Sequence, residues 1–153
     1  MAQATGMRED HDLPYVDQHA VTIAAPRATV WAALEGYVAD TLGAKRMPLL
    51  GRMLGTDPPS GFGVAQREPE RRLALAGRHR FSRYRLVFEL SDGPGEGTVL
   101  RALTYAVFPG AHGFVYRTLV IGTRLHVLAT RGILHAVRRR SVGGSQAEAG
   151  AHG

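Results

Sequence analysis

The sequence contains no cysteine. This absence excludes a disulfide framework, a thiolate nucleophile and every metal site that depends on cysteine ligands. Lysine is almost absent as well, since Lys45 is the sole lysine among 19 basic residues. The most apolar stretch, residues 116–139, has only six uncharged residues between Arg117 and Arg124. A transmembrane helix needs about 20 mainly apolar residues, so we expect no membrane span.

The charge of the chain is positive, with a formal net charge of +6. Such a balance is compatible with a nucleic-acid or anionic-membrane partner. However, an arginine bias together with many alanines and glycines is what a GC-rich coding sequence imposes on any protein. We therefore do not expect a nucleic-acid partner, and a basic interaction module for nucleic acid or anionic membrane is kept only as an alternative.

The length of 153 residues predicts one domain. The start, "MAQATGMREDHDLPY", has no apolar core of the kind that a secretory signal needs, which favours a cytoplasmic location. Residues 1–12 are polar and aperiodic, and residues 141–153 are mainly Gly, Ser and Ala. Both segments are predicted to be disordered, which leaves residues 13–140 as the folded domain.

Four arginines recur at intervals of seven in the stretch "YRTLVIGTRLHVLATRGILHAVRR", at positions 117, 124, 131 and 138. Because an interval of seven drifts by only about 20° on a helix, they form one polar stripe. The opposite side is mostly apolar. The pattern predicts a long helix over residues 111–140 with one wet edge and a broad buried surface.

The sequence of the rest of the domain predicts one helix and at least five strands, while residues 44–61 are interpreted either as a short helix or as an edge strand followed by a Pro-rich loop. Residues 16–24 alternate as a strand does, and Val30, Leu34, Val38 and Leu42 fall on one face of a helix that begins near Pro26. Four strand-like runs follow residue 61: "FGVAQRE", "RRLALAGRH", "SRYRLVFELS" and "GTVLRALTYAVF". Their connections are too short for crossover helices, so the predicted sheet is antiparallel.

This order of elements resembles the helix-grip fold of the START-like superfamily, also called SRPBCC. The stretch "TIAAPRATVWAAL", with Pro26, Val30 and Trp31, is similar to the strand end and helix start of that superfamily. The resemblance implies an α+β domain in which a curved antiparallel sheet wraps around a long C-terminal helix. It also implies a cavity for an apolar ligand between that helix and the sheet.

The sequence indicates which residues would line such a cavity. The inward faces of the last two strands carry small, aliphatic and aromatic side chains, as small-molecule pockets usually do. The buried side of the C-terminal helix adds the remaining ones, including His126, which with Tyr84 is the candidate catalytic residue. The predicted lining is Tyr84, Leu86, Phe88, Leu100, Ala102, Thr104, Ala106, Val115, Leu119, Gly122 and His126. We expect no metal and no cofactor.

Other motifs give weaker indications. "GPGEGT" lies between two antiparallel strands and is interpreted as a hairpin loop. His11 lies in the N-terminal segment. Among the acidic residues, only Glu35 is a candidate site residue. Arg78, His79, Arg80, Arg83 and Arg85 are interpreted as a solvated hairpin end. The outer face of the last strand is also apolar, which suggests a homodimer partner, cover by the N-terminal segment, or an inverted assignment of the two faces.

The primary hypothesis is therefore a carrier or sensor that binds a hydrophobic small molecule, such as a lipid or polyketide. The alternative from another class is an enzyme that resembles polyketide cyclases or aromatases, which would need polar side chains converging inside the cavity.

Overall fold

The computed structural model describes residues 13–41, 62–79, 82–108, 110, 117 and 125–150. These residues form five strands and two helices. The elements are β1 (Tyr15–Ile23), α1 (Arg27–Thr41), β2 (Gly63–Glu68), β3 (Arg72–His79), β4 (Ser82–Asp92), β5 (Thr98–Val107) and α2 (Leu125–Gly150). The predicted α+β class is confirmed, with a helix after the first strand and a helix after the last.

The five strands form one antiparallel sheet with the order β1-β5-β4-β3-β2. Short turns join β2 to β3 and β4 to β5. Glu70 adopts a left-handed conformation, with φ of 59°, in the β2–β3 turn, and Gly95 does so, with φ of 63°, in the β4–β5 turn. The second turn is the glycine-rich hairpin that the sequence predicts, since glycine adopts positive φ without steric cost.

Helix α1 packs through the face that its spacing predicts. Val30 and Leu34 have no solvent exposure, Trp31 is buried beside them, and Val38 is partly buried against the same cluster. The buried Thr98 hydroxyl donates a hydrogen bond of 2.8 Å to the Ala25 carbonyl. This bond joins the start of β5 to the segment between β1 and α1.

Helix α2 contacts α1, β1 and β5. Its buried side consists of Thr130, Leu134, Val137 and Ser141, which recur at intervals of three and four. Arg131 and Arg138 are exposed on the other side, as is Arg117 earlier in the chain. The predicted wet edge is thus confirmed at these three positions, while Arg124 and nearly all of residues 111–124 lie outside the described residues.

Helix α2 continues past residue 140, the predicted end of the folded domain. The sequence predicts disorder from Ser141, yet the helix continues to Gly150. Ser141 is fully buried and donates a 2.9 Å hydrogen bond to the Val137 carbonyl, and Val142 packs against the core. Tertiary packing overrides the low helix propensity of the glycines that follow. Within the part of the chain that the structure describes, no helix is long and apolar enough to span a membrane.

The two faces of the sheet are assigned as the sequence predicts. Phe88, Leu100 and Ala102 have no exposure and belong to one core cluster with the α1 and α2 side chains. We call this face, against which both helices pack, the concave face. The opposite, convex face is half-buried at its apolar positions Val99, Leu103, Tyr105 and Val107. Whether a second copy of the chain covers the convex face stays a prediction.

Candidate functional site on the concave face

Strand register defines which side chains meet on the concave face. One row across the sheet contains Asp17 on β1, Thr104 on β5, Leu86 on β4 and Leu75 on β3. The next row contains His19, Ala102, Phe88 and Leu73 in the same strands. Side chains directly opposite each other in neighbouring strands have Cβ atoms about 5 Å apart, so each row is a line of contacts.

Side chains are fully buried at one end of the concave face, and most are only partly buried at the other. At the end nearest the start of α1, Ile23, Leu100 and Phe88 are fully buried. At the other end, Tyr84, Thr104, Phe62 and Phe108 are partly exposed. We call these four residues the open end of the concave face. The rings of Phe62 and Tyr84 meet there edge to face, with centroids 4.9 Å apart.

The structure places the predicted strand residues of the cavity on this face. The four nearest the core, Leu86, Phe88, Leu100 and Ala102, are buried in the core cluster. Tyr84 and Thr104 lie at the open end. Ala106 is 8% exposed and lies outside that cluster, although Ala102 on the same strand belongs to it.

The predicted cavity lining also includes four residues of the C-terminal helix. Val115, Leu119 and Gly122 lie outside the described residues. His126 is the second residue of α2 as described, but its side chain lies outside them too. The proposed catalytic role of His126 therefore remains a prediction.

A polar pair on β1 extends the site beyond the predicted residues. His19 Nε2 lies 3.0 Å from Asp17 Oδ2, and both side chains are largely shielded, with 17% and 21% exposure. Sequence reasoning missed this pair, because polar residues inside a strand of an antiparallel sheet usually face solvent. The sequence did contain a signal. Asp17 and His19 lie at two-residue intervals from Val21 and Ile23, so all four share one face of the strand, and Ile23 is fully buried.

Thr104 supplies a third polar group next to this pair. It is the register partner of Asp17, and it is the diagonal neighbour of His19 across the two strands. Its Oγ1 atom is buried, and no residue described in the structure forms a hydrogen bond with it. Buried hydroxyl groups normally have a partner, so this atom is a candidate contact for a ligand.

The other charged residues singled out in the sequence lie elsewhere. Glu35 forms an ion pair with Arg67 on β2, and both side chains are partly exposed. Arg78 and Arg83 are exposed register partners, and Arg85 is buried, all on the convex face. His11 and Arg80 lie outside the described residues.

Metal coordination needs at least three suitable side chains close together. Over the described ranges, no group of three His, Asp or Glu residues has the arrangement of a metal site. Asp17 and His19 form a hydrogen-bonded pair.

Comparison with known proteins gives a fold and no closer relationship. No protein-family model matches the chain, and no curated protein does. Among solved structures, Mll3558 from Rhizobium loti has a TM-score of 0.54 at 15% identity, over 85% of this chain and 99% of that one. TTHA0849 from Thermus thermophilus has a TM-score of 0.51 at 18% identity, over 86% of this chain and 99% of that one.

A third similar structure is the di-domain ARO/CYC StfQ from the steffimycin biosynthetic pathway. Its TM-score is 0.58 at 13% identity, and the match covers 92% of this chain and 54% of StfQ. Identities this low establish the architecture alone. Sheet order, the two helices and these neighbours together show that this chain has the helix-grip architecture that the order of its elements and the residues around Trp31 predict.

Proposed function

We propose that the protein binds a hydrophobic small molecule against the open end of the concave face, as a carrier or sensor. The observation that carries the proposal is the change in burial along that face. Phe88 and Leu100 are fully buried in the core, whereas Tyr84 and Phe62 are only partly buried. Partly exposed aromatic rings on the helix-packing side of a sheet are the usual lining of a ligand pocket.

Side-chain volume supports the same proposal. On β5 the concave positions beyond Leu100 are Ala102, Thr104 and Ala106, all of them small. Ala102 lies in the core cluster, and Ala106, which is 8% exposed, is not among the described residues that form it. Small side chains at these positions would leave space for a ligand.

Native mass spectrometry of protein purified from its own host tests the proposal. We expect a mass excess that corresponds to an apolar molecule and that disappears when the protein is extracted with organic solvent and refolded. The refolded protein should then take up naphthalene. A ligand-free mass together with no uptake of naphthalene would contradict the proposal.

A cyclase-like enzyme is the second candidate, and one observation favours it. Asp17, His19 and Thr104 bring polar side chains together on the concave face, which a carrier does not require. One structural neighbour, StfQ, is named as an ARO/CYC protein. The two functions differ in the fate of the ligand, because a carrier releases the molecule that it bound and an enzyme releases a different one. Mass analysis of the small molecule before and after incubation with the protein separates them.

A further inference from the structure

The Asp17–His19 contact determines how the imidazole ring presents its nitrogen atoms. An ionised carboxylate accepts hydrogen bonds and donates none, so His19 Nε2, at 3.0 Å from Asp17 Oδ2, is the donor. In the neutral ring the other nitrogen, Nδ1, then carries a lone pair and accepts a hydrogen bond. Asp17 is thus a positioning residue for His19. Nδ1 is an acceptor, and a ligand hydroxyl group could donate a hydrogen bond to it.

Thr104 supplies the opposite kind of group, a hydrogen-bond donor. Its Oγ1 atom is buried and has no hydrogen-bond partner within the described part of the chain. A hydroxyl group can donate its proton to a carbonyl oxygen. Thr104 and His19 are diagonal neighbours on β5 and β1, and such neighbours lie about 7 to 8 Å apart, with their Cβ atoms somewhat closer.

We infer that His19 and Thr104 form a two-point polar anchor on the otherwise apolar concave face. Nδ1 of His19 accepts a hydrogen bond from a ligand hydroxyl, and Oγ1 of Thr104 donates one to a ligand carbonyl. The ligand class is consequently an apolar, hydroxylated ketone or similar carbonyl compound whose two oxygen atoms are several bonds apart. This inference rests on the proposed function, because the anchor acts only on a molecule bound to the concave face.

Three related probes separate the two contacts. Naphthalene has neither polar group, 2-naphthol adds a hydroxyl, and 2-acetonaphthone adds a carbonyl. Binding of each to the full chain is measured by fluorescence titration at one constant pH. A net hydrogen bond is expected to favour each oxygenated probe over naphthalene by about two- to twelve-fold.

Substitutions at each position should remove one preference and keep the other. His19→Gln retains an amide nitrogen near the place of Nε2, and so the contact with Asp17, but it lacks Nδ1. It should lose the preference for 2-naphthol and keep that for 2-acetonaphthone. His19→Asn places an amide oxygen near Nδ1 and should restore part of the 2-naphthol preference. Thr104→Val keeps the side-chain shape and should lose only the preference for 2-acetonaphthone. Thermal unfolding shows whether each variant is folded, and the naphthalene affinity shows whether its apolar site is intact.

The outcomes distinguish the two levels of the proposal. If wild-type protein does not bind naphthalene, the proposed function fails and the anchor fails with it. If it binds naphthalene but does not prefer the oxygenated probes, the anchor is refuted and the proposed function stands. Preferences that remain in both His19→Gln and Thr104→Val would also refute the anchor, because other groups would then recognise the oxygen atoms.

Discussion

The two alanines on the concave face of β5 should respond differently to enlargement. Ala102 is fully buried inside the core cluster, whereas Ala106 is buried outside it. Replacement of Ala102 with Phe overpacks a filled region, and we expect a loss of about 1 to 3 kcal/mol in the free energy of unfolding. Replacement of Ala106 with Phe introduces an aromatic ring into proposed empty space.

For Ala106→Phe the energetic terms nearly balance. Burial of a Phe side chain should raise the free energy of unfolding by about 1.5 to 3 kcal/mol. Strain from imperfect packing should lower it by a similar amount. We therefore expect a change in the free energy of unfolding within about 1 kcal/mol of zero, together with loss of naphthalene binding. Ala20→Phe, at an exposed position on the convex side of β1, is the matched control and should change neither property.

Urea denaturation and naphthalene titration of the three variants provide the test. Equal destabilisation by Ala102→Phe and Ala106→Phe would show that both ends of the face are close-packed, which refutes the reasoning from burial. Unchanged naphthalene binding in a stable Ala106→Phe variant would place the ligand elsewhere.

Three further predictions concern stability, and urea denaturation checks each. Thr98→Val removes the donor to the Ala25 carbonyl and should cost about 1 to 3 kcal/mol, whereas Thr98→Ser keeps the hydroxyl and should cost less; a Thr98→Val variant no less stable than Thr98→Ser would show that the hydrogen bond contributes no more than the methyl group. A chain that ends at Arg140 loses the buried Ser141 and the packed Val142, so we expect it to be less stable by about 1 to 3 kcal/mol than a chain that ends at Gly143; equal stability would contradict the revised boundary. Arg140→Ala removes an exposed ion pair with Asp40 and a cation–π contact with Tyr37, and should cost about 1 kcal/mol or less; a cost of several kcal/mol would be at odds with a solvated pair.

The strands and the first helix were predictable because their signals are local. Alternating residues and short turns define β2 to β5, and the spacing of Val30 and Leu34 defines the buried face of α1. The concave face of β4 and β5 followed from the same alternation. The resemblance to the helix-grip fold then indicated on which face the helix lies.

The Asp17–His19 pair was not predictable in this way. Parity with Ile23 indicates its face, but the side chains that surround it depend on the pairing of β1 with β5, strands that are far apart in the sequence. The continuation of α2 was missed for a related reason. Composition favours an unstructured tail, and only the packing of Ser141 and Val142 against the fold reverses that preference.

The most direct measurement of ligand binding at the concave face uses the alternation of β5 itself. Intermolecular nuclear Overhauser effects between bound naphthalene and the methyl groups of β5 report which face the ligand contacts. We predict contacts with the methyl groups of Thr104 and Ala106, which face the helices, and none with Leu103 and Val107, which lie on the convex face. Contacts with Leu103 and Val107 instead, or none with any of the four, would contradict the account.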